Sequence, residues 1–259
     1  MSRTVVVGAS SGLGRCIGVG LGRRGDRVAL LARRRERIEA AAKEAGPGAI
    51  AIGCDVTDEA SCRSAIDDAA EALGGIDNLV YASAVGPLVR LIDTDAETWQ
   101  RIFDANVIGA SLVTAAAVPH LTASAGKAVY LSSDAGTFGT PWPGLGAYGV
   151  SKAALERLVD AWRAEHPDIG FTTLIVGECA GGEGDAQTGM NNDWDMDLAM
   201  KAVPLWASRG CMPGKLMPVE DLIEVVHTIL RTDAATSMPV VVARGAPASP
   251  AAFPDSAPS

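Results

Sequence analysis

Thr4-Val5-Val6-Val7-Gly8-Ala9-Ser10-Ser11-Gly12-Leu13-Gly14 is the stretch on which the reading of this chain turns. Its β-branched opening reads as a short strand buried on both faces, the kind found in parallel sheets. Three glycines follow at once with Gly-x-x-x-Gly-x-Gly spacing, and a helix begins near Gly12. Such a turn lets backbone come close to a pyrophosphate, and the free N–H groups and dipole of the helix N-terminus stabilise the charge. Gly8, Ser10, Ser11, Gly12, Leu13 and Gly14 are therefore candidate cofactor contacts; a plain strand-to-helix turn is the alternative.

Outward from that unit, strand and helix patterns alternate. Arg27 to Ala32 reads as the second strand, Ala49 to Cys54 as the third, Asn78 to Ala82 as the fourth, Lys127 to Leu131 as the fifth, Phe171 to Val176 as the sixth and Pro239 to Val242 as the last. The absence of an internal linker favours one α/β domain over residues 1–244. The segment 177–218 is long and irregular, which predicts a substrate lid, and the Pro, Ala and Ser-rich stretch 245–259 reads as a disordered tail.

Polar residues gather at the carboxyl ends of these strands, where α/β sheets place ligands. After strand two, Ala32 stands where an acid would take the ribose hydroxyls of NAD, and Arg33 and Arg34 follow. Arginine there accommodates a 2′-phosphate, so the position points to NADP(H). Asp55, with Val56 beside it, is either a turn residue or a hydrogen-bond partner for an adenine. Thr57 or Asp58 can cap the next helix. Ala82 and Ser83 are small enough to leave room for a cofactor. Asn106 interrupts a helical run from Asp95 to His120, as a satisfied structural amide or a polar anchor at the site. Ser132 and Ser133 end strand five. Tyr148 and Lys152, four residues apart at a helix start, share one face, where a lysine charge favours phenolate and draws the tyrosine toward proton transfer.

The totals remove several classes. With net charge −9 and no basic face, nucleic acid is not an expected partner. Five scattered cysteines without Cys-x-x-Cys spacing suit reduced thiols in a cytoplasmic enzyme, and neither a disulfide framework nor a metal site is expected. No apolar run of membrane-spanning length is read, and the first strand starts too near Met1 for a signal peptide.

In order and spacing, these residues resemble the short-chain dehydrogenase/reductase family over roughly residues 3 to 244. The resemblance implies a Rossmann-like, doubly wound parallel sheet of about seven strands with helices on both faces. It also implies a reaction: hydride moves between NADP(H) and a ketone or secondary alcohol. Tyr148 is then the general acid or base, Ser133 holds the substrate oxygen, Lys152 binds the nicotinamide ribose and acts on Tyr148, and Asn106 holds a relay water. Homodimers or homotetramers, paired through the helices carrying Asn106 and Lys152, are a further implication.

The chain departs from the family pattern in three places. Tyr81-Ala82-Ser83-Ala84 replaces Asn-Asn-Ala-Gly, losing an asparagine that ties neighbouring strands. Fourteen residues separate Ser133 from Tyr148, two more than usual, near Pro141-Trp142-Pro143; Ser133 is preferred over Ser132 because it keeps the Ser-Ser-x-x-Gly register through Gly136. Gly177-Glu178 replaces Pro-Gly, which leaves the nicotinamide carboxamide contact unassigned and turns Glu178 toward the substrate. A catalytically silent NADP(H)-binding sensor is the alternative to the enzyme. Among enzymes, 3-oxoacyl-carrier reduction is disfavoured by the acidic balance, since acidic carriers dock on basic patches.

Overall fold

Val5, Val6 and Val7 have no solvent exposure, which is why the opening strand is apolar throughout instead of alternating. The computed structural model describes residues 1–179, 190–191, 194–212, 214–233 and 236–246. Within them, β1 (Arg3–Val7), β2 (Arg27–Ala32), β3 (Ala49–Gly53), β4 (Asn78–Tyr81), β5 (Lys127–Ser133), β6 (Gly170–Val176) and β7 (Val240–Ala243) form one sheet. Its order is β3-β2-β1-β4-β5-β6-β7, and every pairing is parallel. The chain order reverses between β1 and β4, so the topological switch point falls beside the glycine turn.

Eight α-helices are described: α1 (Gly12–Arg23), α2 (Arg35–Ala45), α3 (Glu59–Leu73), α4 (Ala96–Phe103), α5 (Gly109–Ser124), α6 (Gly146–Glu165), α7 (Met196–Ser208) and α8 (Val219–Arg231). Alternate strand residues divide between two cores. Val5, Val7, Leu79, Tyr81 and Tyr130 pack with α3, α5 and α6, whereas Val6, Val80, Val129 and Leu131 pack with α1, α2 and α8. Asp58, not Thr57, caps α3, accepting from the N–H groups of Ala60 and Ser61.

Several boundaries differ from the sequence expectation. β5 continues past Leu131 because Ser132 and Ser133 pair with Ile175 and Val176 of β6. α6 begins at Gly146, two residues before Tyr148. The helical run Ala96–Ser124 is long and apolar enough by composition to cross a membrane, which the sequence reading missed; here Ala110, Val113, Ala117 and Leu121 pack into the core. A π-turn, Asp104–Ile108, separates α4 from α5 and carries Asn106. The lid acids Glu183, Asp185 and Asp193 and the tail beyond Ala246 lie outside the described residues.

Tyr81 corrects the reading of a lost tie. Its ring stacks on Tyr130 at 6.3 Å between centroids. Its buried hydroxyl donates to the Ala105 carbonyl at 2.6 Å, joining the end of β4 to the π-turn. Tyr81→Phe should cost about 1–3 kcal/mol, because it leaves that carbonyl unpaired in the core. The measurement is a urea denaturation midpoint that falls while the slope stays unchanged.

Candidate active site

The glycine turn is built by close approach. Gly8 has φ +86°, and a Cβ there would lie 2.6 Å from the Ser83 nitrogen; a Cβ on Gly14 would lie 2.5 Å from the Gly8 carbonyl. Only glycine lets the turn, the start of α1 and the Ala82-Ser83 segment meet. Ala82 also donates its N–H to the Val7 carbonyl at 2.9 Å. Gly12 opens α1, and Leu13 packs toward the core on that side of the sheet. Ser10 is buried, and Ser11 occupies the N-cap position without bonding the helix. Both hydroxyls accept from Arg34 instead, at 2.8 and 2.7 Å.

That geometry shifts emphasis from Arg33 to Arg34. Both arginines are exposed, but only Arg34 reaches the turn among the bonds seen. Burial by its neighbours, then the charges of Arg37 and Arg33, lower the Arg34 pKa. Arg33 instead acts on Asp55. Burial pushes the Asp55 carboxyl up, but bonds from the Thr57 backbone and hydroxyl, with the Arg33 charge, hold it below its ordinary value. The Asp55 Oδ1 takes both Thr57 bonds, at 3.0 and 2.8 Å, so one carboxylate oxygen is committed to the turn. Val56 is buried against Gly109, at the end of the π-turn.

Asn106 has no solvent exposure and is fully bonded. Its Oδ1 accepts from the Val85 N–H at 2.8 Å, and its Nδ2 donates to the Val85 carbonyl and to Ser151 Oγ, both at 2.9 Å. Ser151 in turn donates to the Tyr148 carbonyl at 2.7 Å. Both amide hydrogens are therefore spent within the protein. The side chain clamps the segment after β4 to α6.

Ser133, Tyr148 and Lys152 converge at the end of β5. Ser132 Oγ points away from the phenol, donating to Glu156 at 2.6 Å, while Ser133, its side chain alternating to the other face of the strand, acts on Tyr148. Lys152 is buried, donates to the Leu131 carbonyl at 2.7 Å, and stands 5.6 Å from the centre of the Tyr148 ring. Burial pushes the Tyr148 pKa up to about 12; Ser133 opposes the shift and Asp134 adds to it. Burial likewise brings Lys152 down to about 8, with the Glu156 charge opposing. The sequence expectation of a lowered tyrosine is thus reversed here, because desolvation outweighs a lysine held on a backbone carbonyl.

Over Tyr148 lies an aromatic cover. Gly86 passes flat against the ring, and the Trp194 indole donates to the Gly86 carbonyl at 2.8 Å. Trp206 of α7 donates to the Pro143 carbonyl at 2.8 Å and meets Trp142 edge-on at 5.1 Å. The two additional residues near Trp142 therefore latch onto α7. Beneath it, Cys179 bridges to Met217, and the Met217 N–H donates to the Glu178 carbonyl.

The family model described as short chain dehydrogenase matches residues 2–196. The chain belongs to the short-chain dehydrogenase family. It is 35% identical over 179 residues to 11-beta-hydroxysteroid dehydrogenase-like 3 of Arabidopsis thaliana, covering 67% of this chain and 57% of that protein. The chain thus spans little more than half the length of that plant relative. It is 32% identical to inactive 2-(S)-hydroxypropyl-CoM dehydrogenase 2 of Xanthobacter autotrophicus, covering 82% of this chain and 90% of that one. In fold it matches an alcohol dehydrogenase from Thermococcus sibiricus complexed with 5-hydroxy-NADP, at TM-score 0.78 and 23% identity over 97% of this chain and 99% of that chain.

Within this short-chain dehydrogenase fold, sequence reasoning missed Ser151, Glu156 and Asp134. Ser151 carried a faint signal, lying between Tyr148 and Lys152; Glu156 carried another, one helical turn beyond Lys152. The Lys152 environment has a measurable consequence. Its folded pKa of about 8 lies below the 10.5 of an ordinary lysine. Between those values the unfolded chain binds more protons, so this residue makes stability rise with pH. Lys152→Met should lose that rise, on the order of 3 kcal/mol across the window, in urea denaturation followed as a function of pH.

Proposed function

We propose that this chain is an NADP(H)-dependent oxidoreductase that exchanges hydride with a ketone or secondary alcohol, using Tyr148 as general acid or base. The observation that carries the reading is the convergence of Ser133, Tyr148 and Lys152 at the carboxyl edge, with Lys152 held on the Leu131 carbonyl 5.6 Å from the centre of the Tyr148 ring. The turn fits a dinucleotide: Gly8 and Gly14 leave no room for a Cβ, and Ser11 leaves the first N–H groups of α1 without a side-chain cap. Ser10, Ser11, Gly12 and Leu13 would line the pyrophosphate, Arg33 and Arg34 the 2′-phosphate, Asp55 and Val56 the adenine, and Ala82 and Ser83 the adjoining edge. When bound, the nicotinamide supplies or accepts the hydride.

Ser133 holds and polarises the substrate oxygen. Tyr148 gives that oxygen its proton in reduction and takes it back in oxidation. A phenol kept protonated by burial suits the first role at neutral pH. Lys152 supplies positive charge under the ring and would hold the nicotinamide ribose, while Asn106 holds the flanking segments in place. Glu178 borders the substrate; burial and Asp134 raise its pKa. Cytoplasmic location and a homo-oligomer are part of the reading. Exposed Ile108 and Val150, beside Asn106 and Lys152, support pairing of those helices.

Tyr148→Phe should lower turnover of a carbonyl panel by about 10²–10⁴-fold while NADPH still raises the melting temperature. Normal turnover in that variant refutes the mechanism, and wild type that binds NADPH without turnover across the panel favours the sensor. Replacing Arg33 and Arg34 together with alanine should weaken NADPH by roughly tenfold or more and leave NADH nearly unchanged, as measured by fluorescence titration. Equal loss for both cofactors would remove the 2′-phosphate assignment.

A further inference from the structure

Asp134 follows Ser133 directly and is only 8% exposed, a carboxyl buried at the edge where the proposed proton transfer takes place. Its backbone is pinned on both sides: the N–H donates to Val176 at 3.2 Å, and the carbonyl accepts from Gly139 at 2.8 Å. The side chain is thereby held toward Ser133, with Oδ1 3.5 Å from Ser133 Oγ. On its far side stands Gly177, where a Cβ would lie 3.3 Å from Oδ2 and 2.6 Å from the Arg244 Cβ. Arg244 does not close down on the carboxyl; its guanidinium lies over the Phe138 ring, 5.4 Å from the centroid.

The hydrogen count at Ser133 gives this carboxyl a task. Ser133 Oγ accepts from the Ala135 N–H at 3.2 Å and has a single hydrogen to give. An ionised Asp134 competes for that hydrogen. A protonated Asp134 donates to Ser133 Oγ instead, and the serine hydrogen is then available to a substrate oxygen. We propose that Asp134 is a positioning residue for the reaction, its neutral carboxyl directing the Ser133 hydroxyl toward the substrate oxygen. This rests on the reductase reading above.

The surrounding charges agree with the assignment. Burial raises the Asp134 pKa, while the Ser133 and Ala135 bonds and the Arg244 charge oppose the rise. Around the group stand Glu178 after β6, Arg244 after β7, Tyr148 on α6 and Cys211 after α7; Lys152 and Glu156 lie one step further, beneath Tyr148. Asp134 raises the pKa of Glu178, Cys211 and Tyr148, so its ionisation would set a negative charge among groups that already resist one. The neutral form is present below the folded pKa and is lost as pH rises through it. Burial moves that loss to a higher pH than for an exposed aspartate.

Two measurements test this on the chain. In the first, infrared spectra of wild type minus Asp134→Asn should show a protonated-carboxyl band persisting above the ordinary carboxylate range, and Ser133→Ala should shift that band. In the second, pH profiles of kcat/KM for carbonyl reduction should lose one descending limb in Asp134→Asn, whose amide donates at every pH. Asp134→Ala should fall about tenfold or more throughout, with NADPH affinity retained. An Asp134→Asn profile superimposed on wild type, or an alanine variant at full rate, overturns the proposal. So does a band absent or indifferent to Ser133→Ala, whatever the turnover. An intact, serine-sensitive band in a protein that reduces no carbonyl overturns the reductase reading and with it the positioning role, so the two failures are told apart.

Discussion

Everything at the carboxyl edge depends on the fully buried amide of Asn106. It bonds both backbone groups of Val85 and the Ser151 hydroxyl, so three segments distant in sequence share one side chain. A buried amide left unpaired costs on the order of a few kcal/mol, and this arrangement satisfies it only when the segment after β4, the π-turn and α6 are all in register. Ser151 passes the constraint to the Tyr148 carbonyl. The π-turn makes it feasible, since an extra residue within a helical run re-aims one side chain without ending the run. Tyr81 reinforces it by bonding the Ala105 carbonyl next door.

Burial then sets the chemistry of the groups so positioned. Trp194, Trp206 and Trp142 close over Tyr148, and their indole bonds to Gly86 and Pro143 fix the cover to the body of the domain. Excluding water raises Tyr148 and lowers Lys152, each toward its neutral form. The phenol is thereby kept with its proton, while Lys152, at about 8, still carries its charge at neutral pH.

The strands were legible because both faces of the sheet are buried, so that runs such as Val5 to Val7 and Leu79 to Tyr81 are apolar throughout. The glycine turn was legible because the close approaches at Gly8 and Gly14 admit nothing larger. Ser133 could be preferred over Ser132 from motif register, but the physical reason is strand alternation, which needs the true end of β5. Desolvation of Tyr148 was not legible, since it depends on a cover assembled from residues 86, 142, 194 and 206. The Arg34 bonds to Ser10 and Ser11 are a further contact that sequence order alone does not fix.

The departures from the family pattern share a direction once their partners are known. Tyr81 turns its hydroxyl to the π-turn. The lengthened approach puts Trp142 and Pro143 against Trp206 of the lid. Glu178 lends its carbonyl to Met217 at the base of the lid. None of these bonds engages the Tyr148 hydroxyl, the Ser133 hydroxyl or the Lys152 ammonium. The departures therefore lie in segments that pack around Ser133, Tyr148 and Lys152, while Tyr148 and Lys152 keep their four-residue spacing. In the proposed mechanism, a chemical step set by three side chains tolerates such change, because its demands on geometry end within hydrogen-bond reach.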